Sequence, residues 1–348
     1  MIINEGTAKL EVSEGKISRK LPVFYNPVMK LNRDISILLL NSIENTAMQI
    51  ADPLAGSGVR AIRFLNELDE NKIKNISLND FKAEPIIKNL KLNKLGKDKR
   101  ITLESSDANL FLLNSLGFDY IDIDPFGSPN PFLQSAIIRL ARKGILAVTA
   151  TDTAALAGSS EKACVRKYWA KPLRNEMMHE IGIRILIRRV QLIGSDNEKA
   201  LIPIFSYFKD HYYRVFFRCE KGRQKADEIM KQHRFLQYDP KTLDVKIVEK
   251  VNEKMQYAGP LWTGNLWDKE LVEKMHNGCD KENKKMHDLL SILKEESKID
   301  SVGFYDLQKL ANIRKESIKK VEKVLVPGKI SRTHFLGWGI KCLKQPPL

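Results

Sequence analysis

Three aspartates follow predicted strands, in the order in which those strands occur along the chain. They are Asp80 in "NISLND", Asp107 in "ESSDANL" and Asp124 in "DYIDIDPFGSP". The carboxyl ends of parallel strands meet at one end of a sheet, where open α/β folds bind their ligands. Carboxylates there can accept hydrogen bonds from ribose hydroxyls or from a base amine. Each aspartate alone could equally be a helix cap, but three in register favour a nucleoside site.

A glycine-rich turn, "DPLAGSGVRAIR" (52–63), joins a predicted strand to a helix upstream of these aspartates. Glycines let a ligand approach the backbone closely, and the start of a helix favours negative groups. Residues 56–61 also fit the G-x-G-x-x-G/A pattern of dinucleotide-binding folds. Asp80 ends the next strand, where a carboxylate would bind ribose hydroxyls. NAD and S-adenosylmethionine both carry that ribose, so these two features leave the cofactor open.

Alternating strands and helices must bring these turns to one end of a sheet. The hydrophobic pattern predicts five strands, namely "AMQIADPL", "NISLND", the start of "ITLESSDANLFLLN", "FDYIDIDPFGS" and "GILAVTAT". Such alternation implies a mostly parallel sheet with right-handed crossovers. The closing hairpin, "ALIPIFSYFKDHYYRVFFRCE", adds two antiparallel strands. This α/β pattern with a seven-stranded mixed sheet resembles the Rossmann-like class I methyltransferases and differs from the all-parallel dinucleotide fold.

The length of the chain and a change of composition along it indicate two domains. Its 348 residues exceed one average domain, and 43% of them are hydrophobic, which suits a globular protein with sizeable cores. After residue 222 the sequence becomes charged and amphipathic with helical period, and it ends in a short basic segment with aromatics. We predict a methyltransferase-like domain with an N-terminal extension over 1–222. A smaller α+β domain over 223–348, which we expect to bind the nucleic acid partner, would end in a short strand pair.

Charge and cysteine usage restrict the partners and the compartment. The formal net charge of +15, from 58 Lys and Arg against 43 Asp and Glu, favours a polyanionic partner such as nucleic acid. Four cysteines are widely spaced and form no Cys-x-x-Cys pair, as a reducing cytoplasm permits. No apolar run is long enough for a membrane span. We expect a cytoplasmic, monomeric protein without a membrane segment.

The turn Asp124-Pro125-Phe126-Gly127 is similar to the Asp-Pro-Pro-Tyr turn of methyltransferases that act on exocyclic amines. The lone pair of such an amine is delocalised into the base, so the amine must be held in line with the methyl group. Asp124 would accept one N–H and then take the proton, and the carbonyl of Pro125 would accept the other N–H. Phe126 would stack on the base, a contact worth about 1–3 kcal/mol.

The combination of motifs resembles a known family. The motifs are "FYNPVMKLNRDIS" (24–36), "SGVRAIRF" (57–64), "DIDPFGSP" (122–129), "YAGPLWTGNLWD" (257–268) and "SRTHF" (331–335). Together they are similar to the tRNA (guanine-26-N2) dimethyltransferases, the Trm1 family, in their archaeal type. The resemblance runs through most of the chain. It implies an S-adenosylmethionine-dependent enzyme that methylates a guanine amine of tRNA.

The resemblance also assigns residues to the cofactor. Arg33 and Arg60 would bind its carboxylate end, a task that suits bidentate guanidinium groups. Asp80 would hold the ribose, and Asp107 with Ala108 would hold the adenine.

The same resemblance assigns residues to the target base. Asp124 would be the catalytic carboxylate, Pro125 and Phe126 would lie beside the base, and Phe24 would lie at the mouth of the base pocket. A core aromatic is the alternative for Phe24. Some family members carry a four-cysteine zinc cluster in the second domain, which this sequence lacks. We therefore predict no metal.

Binding of tRNA would need both base rotation and phosphate contacts. Guanine 26 lies at a junction of stems, and turning it outward costs a few kcal/mol. Basic side chains would offset that cost by binding phosphates. The candidate segments are 166–176, 183–191 and 328–341. For 183–191 a core helix with solvated arginines is the preferred interpretation, and the tryptophans of 257–268 could face RNA or pack between domains.

Three rival functions stay open at this point. The target could be another nucleotide, such as guanine 10 of tRNA or an adenine amine, although Phe126 and the second domain argue against guanine 10. An NAD-dependent oxidoreductase is disfavoured by the Asp-Pro-Phe-Gly turn and the closing hairpin. A catalytically inert RNA-binding protein is disfavoured because Asp124 and the glycine turn are both present. Transfer of one methyl or of two, and action on a second nucleotide, are both compatible with the sequence.

Overall fold

Strands and helices alternate along the chain in the computed structural model, which describes residues 1–13, 15, 23–317 and 321–346. The chain forms two compact units, Met1–Thr149 and Ala150–Leu348. The predicted domain boundary at residue 222 does not coincide with this division and stays a prediction.

The first unit carries seven strands and five helices within the described residues. The strands are β1 (Ile2–Glu5), β2 (Ala8–Glu11), β3 (Met48–Asp52), β4 (Ile73–Asn79), β5 (Ile101–Glu104), β6 (Phe118–Ile123) and β7 (Leu140–Ala150). The helices are α1 (Lys30–Ser42), α2 (Val59–Glu67), α3 (Ala83–Leu92), α4 (Ala108–Asn114) and α5 (Asn130–Arg139). Neighbouring strands β5, β4, β3, β6 and β7 all pair in parallel. The central strand β3 is almost entirely buried, as expected for a strand in the middle of a parallel sheet.

The second unit begins with helices and then adds strands. Its helices are α6 (Thr153–Leu156), α7 (Glu161–Tyr168), α8 (Met178–Asp196), α9 (Arg223–Met230), α10 (Lys269–Gly278), α11 (Lys284–Glu296) and α12 (Leu307–Arg314). Its strands are β8 (Lys199–Lys209), β9 (Tyr212–Lys221), β10 (His233–Tyr238), β11 (Val245–Val248), β12 (Gln256–Trp262), β13 (Tyr305–Asp306), β14 (Ile330–Thr333) and β15 (Leu336–Cys342). Helix α8 buries most of its side chains, so it serves as the core of this unit.

The main sheet has the predicted mixed architecture, with strand order β5-β4-β3-β6-β7-β9-β8. Strands β8 and β9 pair in antiparallel register, as the tight turn between them requires. The α/β fold with seven strands in one mixed sheet is therefore confirmed. Smaller sheets of order β11-β10-β12 and β13-β15-β14 follow in the second unit. The antiparallel pair β14–β15 confirms the strand pair predicted at the end of the chain.

The N-terminal hairpin was not predicted from the sequence, whereas packing of the tryptophans of 257–268 was one of the two interpretations left open. The hairpin β1–β2 is formed by strands of four residues, which are too short for hydrophobic period to reveal. Trp262 and Trp267 are buried, and their indole N–H groups donate to the carbonyls of Asn265 and Ser206. These contacts favour the packing role of the tryptophans over contact with RNA.

Within the described part of the chain, no helix combines the length and apolar character that crossing a membrane requires.

Candidate active site

The glycine turn between β3 and α2 has a backbone that only glycine adopts easily. Gly56 and Gly58 have φ angles of +56° and +78°. A Cβ on Gly56 would lie 3.3 Å from the carbonyl oxygen of Phe24, and a Cβ on Gly58 would lie 3.1 Å from Ile86 Cγ2. The turn therefore brings bare backbone to the end of β3. It also sets the spacing between that end and the segment that carries Phe24.

Asp80 is bound to this turn, as the order of elements predicts. Its Oδ2 accepts a hydrogen bond of 2.9 Å from the backbone N–H of Gly56, and its Oδ1 accepts one of 3.2 Å from Lys82. The side chain of Asn79, immediately before it, bonds to backbone atoms of Pro53 and Ser106. Asn79 thus ties the ends of β3, β4 and β5 together. Sequence analysis missed this residue, because the burial that obliges its amide to find hydrogen-bond partners is visible only in the structure.

Asp107 caps helix α4, which is the alternative considered for it. Its Oδ1 accepts hydrogen bonds from the backbone N–H groups of Asn109 and Leu110, at 2.9 and 3.2 Å. Ala108 is buried as the first residue of α4. A cap satisfies helix donors and also fixes the carboxylate, so capping and adenine recognition are compatible. The adenine roles of Asp107 and Ala108 stay predictions.

Arg60 lies at the centre of a buried group of carboxylates. Its Nη2 contacts Asp124 Oδ2 at 2.5 Å, and its Nη1 lies 3.2 Å from Asp122 Oδ2. The guanidinium also donates to the side chains of Asn32 and Ser36 on α1, each at 3.1 Å. The structure therefore brings together two residues that were predicted separately, Arg60 for the cofactor and Asp124 for the base. Planar bidentate geometry allows one arginine to orient both aspartates.

Asp52 is a further carboxylate of this group, and the motif analysis did not single it out. It ends β3 just before the glycine turn and is buried. Burial raises the pKa of Asp52 to about 7, and the nearby charges of Asp122, Asp124 and Asp80 act in the same direction against that of Arg60. A carboxyl with such a pKa keeps its proton where ordinary aspartates are ionised. Its position at a strand end beside the glycines was the available sequence signal.

Arg33 forms a second buried ion pair, with Glu5 of the N-terminal hairpin. Its Nε and Nη2 contact the two Glu5 oxygens at 2.6 and 2.5 Å, and Nη2 also donates to the carbonyl of Asn26 at 3.0 Å. The Tyr25 hydroxyl donates to Glu5 Oε2 at 2.7 Å. Burial acts to raise the pKa of Glu5, but the hydrogen bonds and charges of Arg33, Tyr25 and Arg63 lower it to about 2. This pair fixes the segment that leads from Phe24 into α1.

Phe24 and Phe126 are in direct contact beside Asp124. Their ring centroids are 4.4 Å apart and the planes are inclined by 67°, an edge-to-face contact. Phe126 keeps 38% of its surface exposed, which is high for a phenylalanine. Pro125 and Asp124 are partly exposed beside it. The structure therefore places Phe24 against the ring of Phe126 in the Asp124-Pro125-Phe126 turn, and the roles of these residues toward a base stay predictions.

The cysteines do not form a cluster in the structure. Cys164, Cys219, Cys279 and Cys342 are all buried, and none of them forms a disulfide within the described part of the chain. No group of three or more His, Cys, Asp or Glu side chains suited to a metal occurs in the parts of the chain that the structure describes. That the protein works without a metal stays a prediction.

The fold and the site together define a Rossmann-like methyltransferase, with a mixed seven-stranded sheet and a glycine turn beside strand-end carboxylates. The family model "N2,N2-dimethylguanosine tRNA methyltransferase" matches residues 6–344. The chain belongs to this family. The resemblance to the Trm1 family found in the sequence is thereby confirmed.

Individual relatives support the same assignment. The chain is 40% identical over 364 residues to the tRNA (guanine(26)-N(2)/guanine(27)-N(2))-dimethyltransferase of Aquifex aeolicus, covering 98% of this chain and 92% of that protein. It is 38% identical over 340 residues to the tRNA (guanine(26)-N(2))-dimethyltransferase of Methanocaldococcus jannaschii, covering 93% and 89%. The solved complex of Trm1 from Pyrococcus horikoshii with S-adenosyl-L-methionine superposes with a TM-score of 0.87 at 33% identity, covering 99% of this chain and 97% of that one.

Proposed function

We propose that the protein transfers methyl groups from S-adenosylmethionine to the exocyclic N2 of guanine 26 in tRNA, giving the dimethylated base. The observation that carries this proposal is the position of Asp124, held by Arg60 and flanked by the exposed ring of Phe126. This arrangement places a carboxylate and a stacking surface side by side. The names of the A. aeolicus, M. jannaschii and P. horikoshii relatives support the substrate and the cofactor.

The residues at the strand ends fit S-adenosylmethionine. The glycine turn leaves backbone uncovered where a Cβ would crowd Phe24, and Asp80 is oriented beside it by the N–H of Gly56. Asp80 would bind the ribose hydroxyls, and Asp107 with the backbone of Ala108 would bind the adenine. The hydrogen bonds of Arg33 to Glu5 and Asn26 use its Nε and Nη2, so its Nη1 would contact the cofactor carboxylate. When bound, S-adenosylmethionine supplies an electrophilic methyl group.

Catalysis by the chain itself is mainly positioning and proton acceptance. Phe126 and Phe24 would hold the guanine ring, and the Pro125 carbonyl would accept one N–H of the amine. Asp124 Oδ2 is oriented by Arg60, so Oδ1 would accept the other N–H and take its proton as the nitrogen becomes acidic. Two polar contacts to one amine fix the direction of its lone pair. Alignment of this kind is a large part of the rate enhancement of group transfer.

The test is methyl transfer from labelled S-adenosylmethionine to a tRNA transcript with guanine 26, beside its G26→A variant. Asp124→Asn removes the acceptor charge at nearly constant shape and is expected to lower single-turnover transfer at least 100-fold. Asp210→Asn, at an exposed turn with φ of 52° that Asn tolerates, is the matched control and should keep full activity. Nucleoside analysis then separates the mono- and dimethylated products. Full transfer by Asp124→Asn would contradict the assigned role of the carboxylate.

A second target is the neighbouring guanine 27. The A. aeolicus relative is named for both positions. Transfer that survives G26→A but disappears in the double variant G26→A/G27→A would establish action on guanine 27. Transfer that survives both changes would overturn the position and leave only the class of reaction.

We further propose a cytoplasmic enzyme that acts as a monomer. Four buried cysteines without disulfides are compatible with a reducing compartment. The mass of 39.8 kDa gives light scattering a clear test, since a dimer would be twice as large.

A further inference from the structure

An exposed tryptophan ends helix α7 in an unusual backbone conformation. Trp169 has φ and ψ angles of 54° and 40°, the left-handed region, and its N–H bonds to the carbonyl of Val165. Helices commonly end with glycine in that conformation, and bulky residues there are uncommon. Trp169 is nevertheless 58% exposed. The backbone of Trp169 is strained, and its exposed indole gains little from packing. This combination points to a role in binding.

Two arginines of helix α8 fix this indole. The guanidinium carbon of Arg189 lies 4.1 Å from the ring centroid of Trp169, a close cation–π contact. Arg188 donates from Nη1 to the carbonyl oxygen of Trp169 at 3.2 Å. The Nε atoms of both arginines are buried and have no hydrogen-bond partner among the described residues. One face of the indole is therefore backed by a cation, and the exposed surface of the ring is left for a ligand.

The chain around this indole carries an excess of positive charge. Residues 166–189 contain seven Lys and Arg but only two acidic residues, Glu176 and Glu180. Glu176 is already bound by Tyr238 and Lys309, and Glu180 by Arg184 and Lys341. These two acidic side chains are therefore engaged elsewhere, and Asp196 at the end of α8 is the acidic residue that acts on Arg189. A negatively charged ligand with a flat aromatic group matches this surface, which is the chemistry of an unpaired nucleotide.

We propose that Trp169, backed by Arg189 and fixed by Arg188, is a stacking platform for an unpaired base of the substrate tRNA. The inference rests on the proposed function for the identity of that RNA. The base stacks on the exposed face of the indole, and the two arginines attract the adjoining phosphates. Helix α8 is mainly a core helix, as the preferred interpretation of 183–191 holds. Its arginines are not freely solvated, however. Arg184 is buried in an ion pair, and Arg188 and Arg189 contact Trp169.

The test compares tRNA affinity of the full chain and its variants by fluorescence anisotropy over a range of NaCl concentrations. Trp169→Leu removes the π surface and is expected to weaken binding roughly 5- to 100-fold, whereas Trp169→Phe stays within about threefold. The slope of log affinity against log salt should be unchanged in Trp169→Leu and reduced by about one in Arg189→Gln. Arg223→Gln, at a highly exposed arginine on α9, is the charge control.

A fully paired RNA duplex of equal length controls for stacking, since it offers no unpaired base. Trp169→Leu should bind the duplex as wild type does. Trp169→Gly relieves the left-handed backbone, so it is expected to fold and must also lose affinity for tRNA. Affinity of Trp169→Leu within twofold of wild type would overturn the proposal. Equal weakening for tRNA and duplex would also overturn it, since that result indicates a structural role.

Methyl transfer separates this proposal from the proposed function. If wild type methylates guanine 26 and Trp169→Leu shows an unchanged KM for tRNA, the platform is wrong and the function stands. If wild type binds tRNA through Trp169 but methylates no guanine, the function is wrong and the platform stands. An increased KM for tRNA at unchanged kcat supports both.

Discussion

Replacing the buried carboxyl of Asp52 by an amide should change how stability depends on pH. Burial, together with the charges of Asp122, Asp124 and Asp80, raises the pKa of Asp52 to about 7 in the folded protein, against 3.8 as the ordinary value. The folded state therefore keeps a proton that the unfolded chain has lost between these pH values. Below pH 3.8 both states are protonated and no cost arises. As pH rises from about 4 to about 7, wild type loses stability that Asp52→Asn does not lose.

The magnitude follows from the size of that shift. A difference of about three pKa units at 1.36 kcal/mol each gives about 4 kcal/mol of relative stabilisation for Asp52→Asn at pH 7 and above. His179 and His233 act in the opposite direction. Burial, with positive charge from His334 and Arg188 respectively, lowers the pKa of each to about 4. Their contribution is the same in both proteins and cancels in the difference.

The assay is urea unfolding of wild type and Asp52→Asn at pH 5, 6, 7 and 8, with Asp210→Asn as the exposed control. The difference in unfolding free energy between Asp52→Asn and wild type should grow through this range and then level off. The control should show no such trend. Parallel stability curves for wild type and Asp52→Asn would refute the reasoning, because they would mean that the carboxyl is ionised at ordinary pH.

Three further changes test other parts of the site. Arg60→Gln leaves buried carboxylates without their cation, so it should lower the free energy of unfolding in urea by about 3–5 kcal/mol. It should also abolish methyl transfer, and Arg60→Lys should be inactive as well. Wild-type transfer by either variant would contradict the bidentate role. Gly58 has a φ of +78°, which strains alanine, so Gly58→Ala should lower the free energy of thermal unfolding by about 1–2 kcal/mol and raise the KM for S-adenosylmethionine. An unchanged stability and KM would show that the turn accepts a Cβ without strain. The pKa of Glu5 is lowered to about 2, so wild type should be more stable than Glu5→Gln above about pH 4.5. This difference in stability, measured by circular dichroism, should disappear as pH falls from about 4.5 to about 2. An advantage that persists at pH 2 would mean that the Glu5 ion pairs contribute little.

Much of the site could be predicted because its positions are set by local patterns. Asp80 and Asp124 each follow a predicted strand, and parallel pairing alone brings such ends to one end of a sheet. Gly56 and Gly58 are required by backbone angles that the turn itself imposes. The Asp-Pro-Phe-Gly string is contiguous, so its aromatic ring and carboxylate remain neighbours in any fold.

Contacts between distant segments were not available from those patterns. Glu5 lies 28 residues from Arg33, and Arg60 lies 64 residues from Asp124, yet both pairs are in direct contact. Periodicity reports which face of an element is buried, but it does not report which charged side chain lies opposite.

The sequence by itself determined the succession of strands and helices along the chain, the glycine turn, the strand-end carboxylates and the family. Tertiary structure alone decided that Arg60 forms an ion pair with Asp124, that Asp52 is buried with a raised pKa, and that the guanidinium of Arg189 lies over the ring of Trp169. The physical reason is that local propensity acts through residues a few positions apart. Ion pairing and burial depend on which side chains packing brings within a few ångströms of one another.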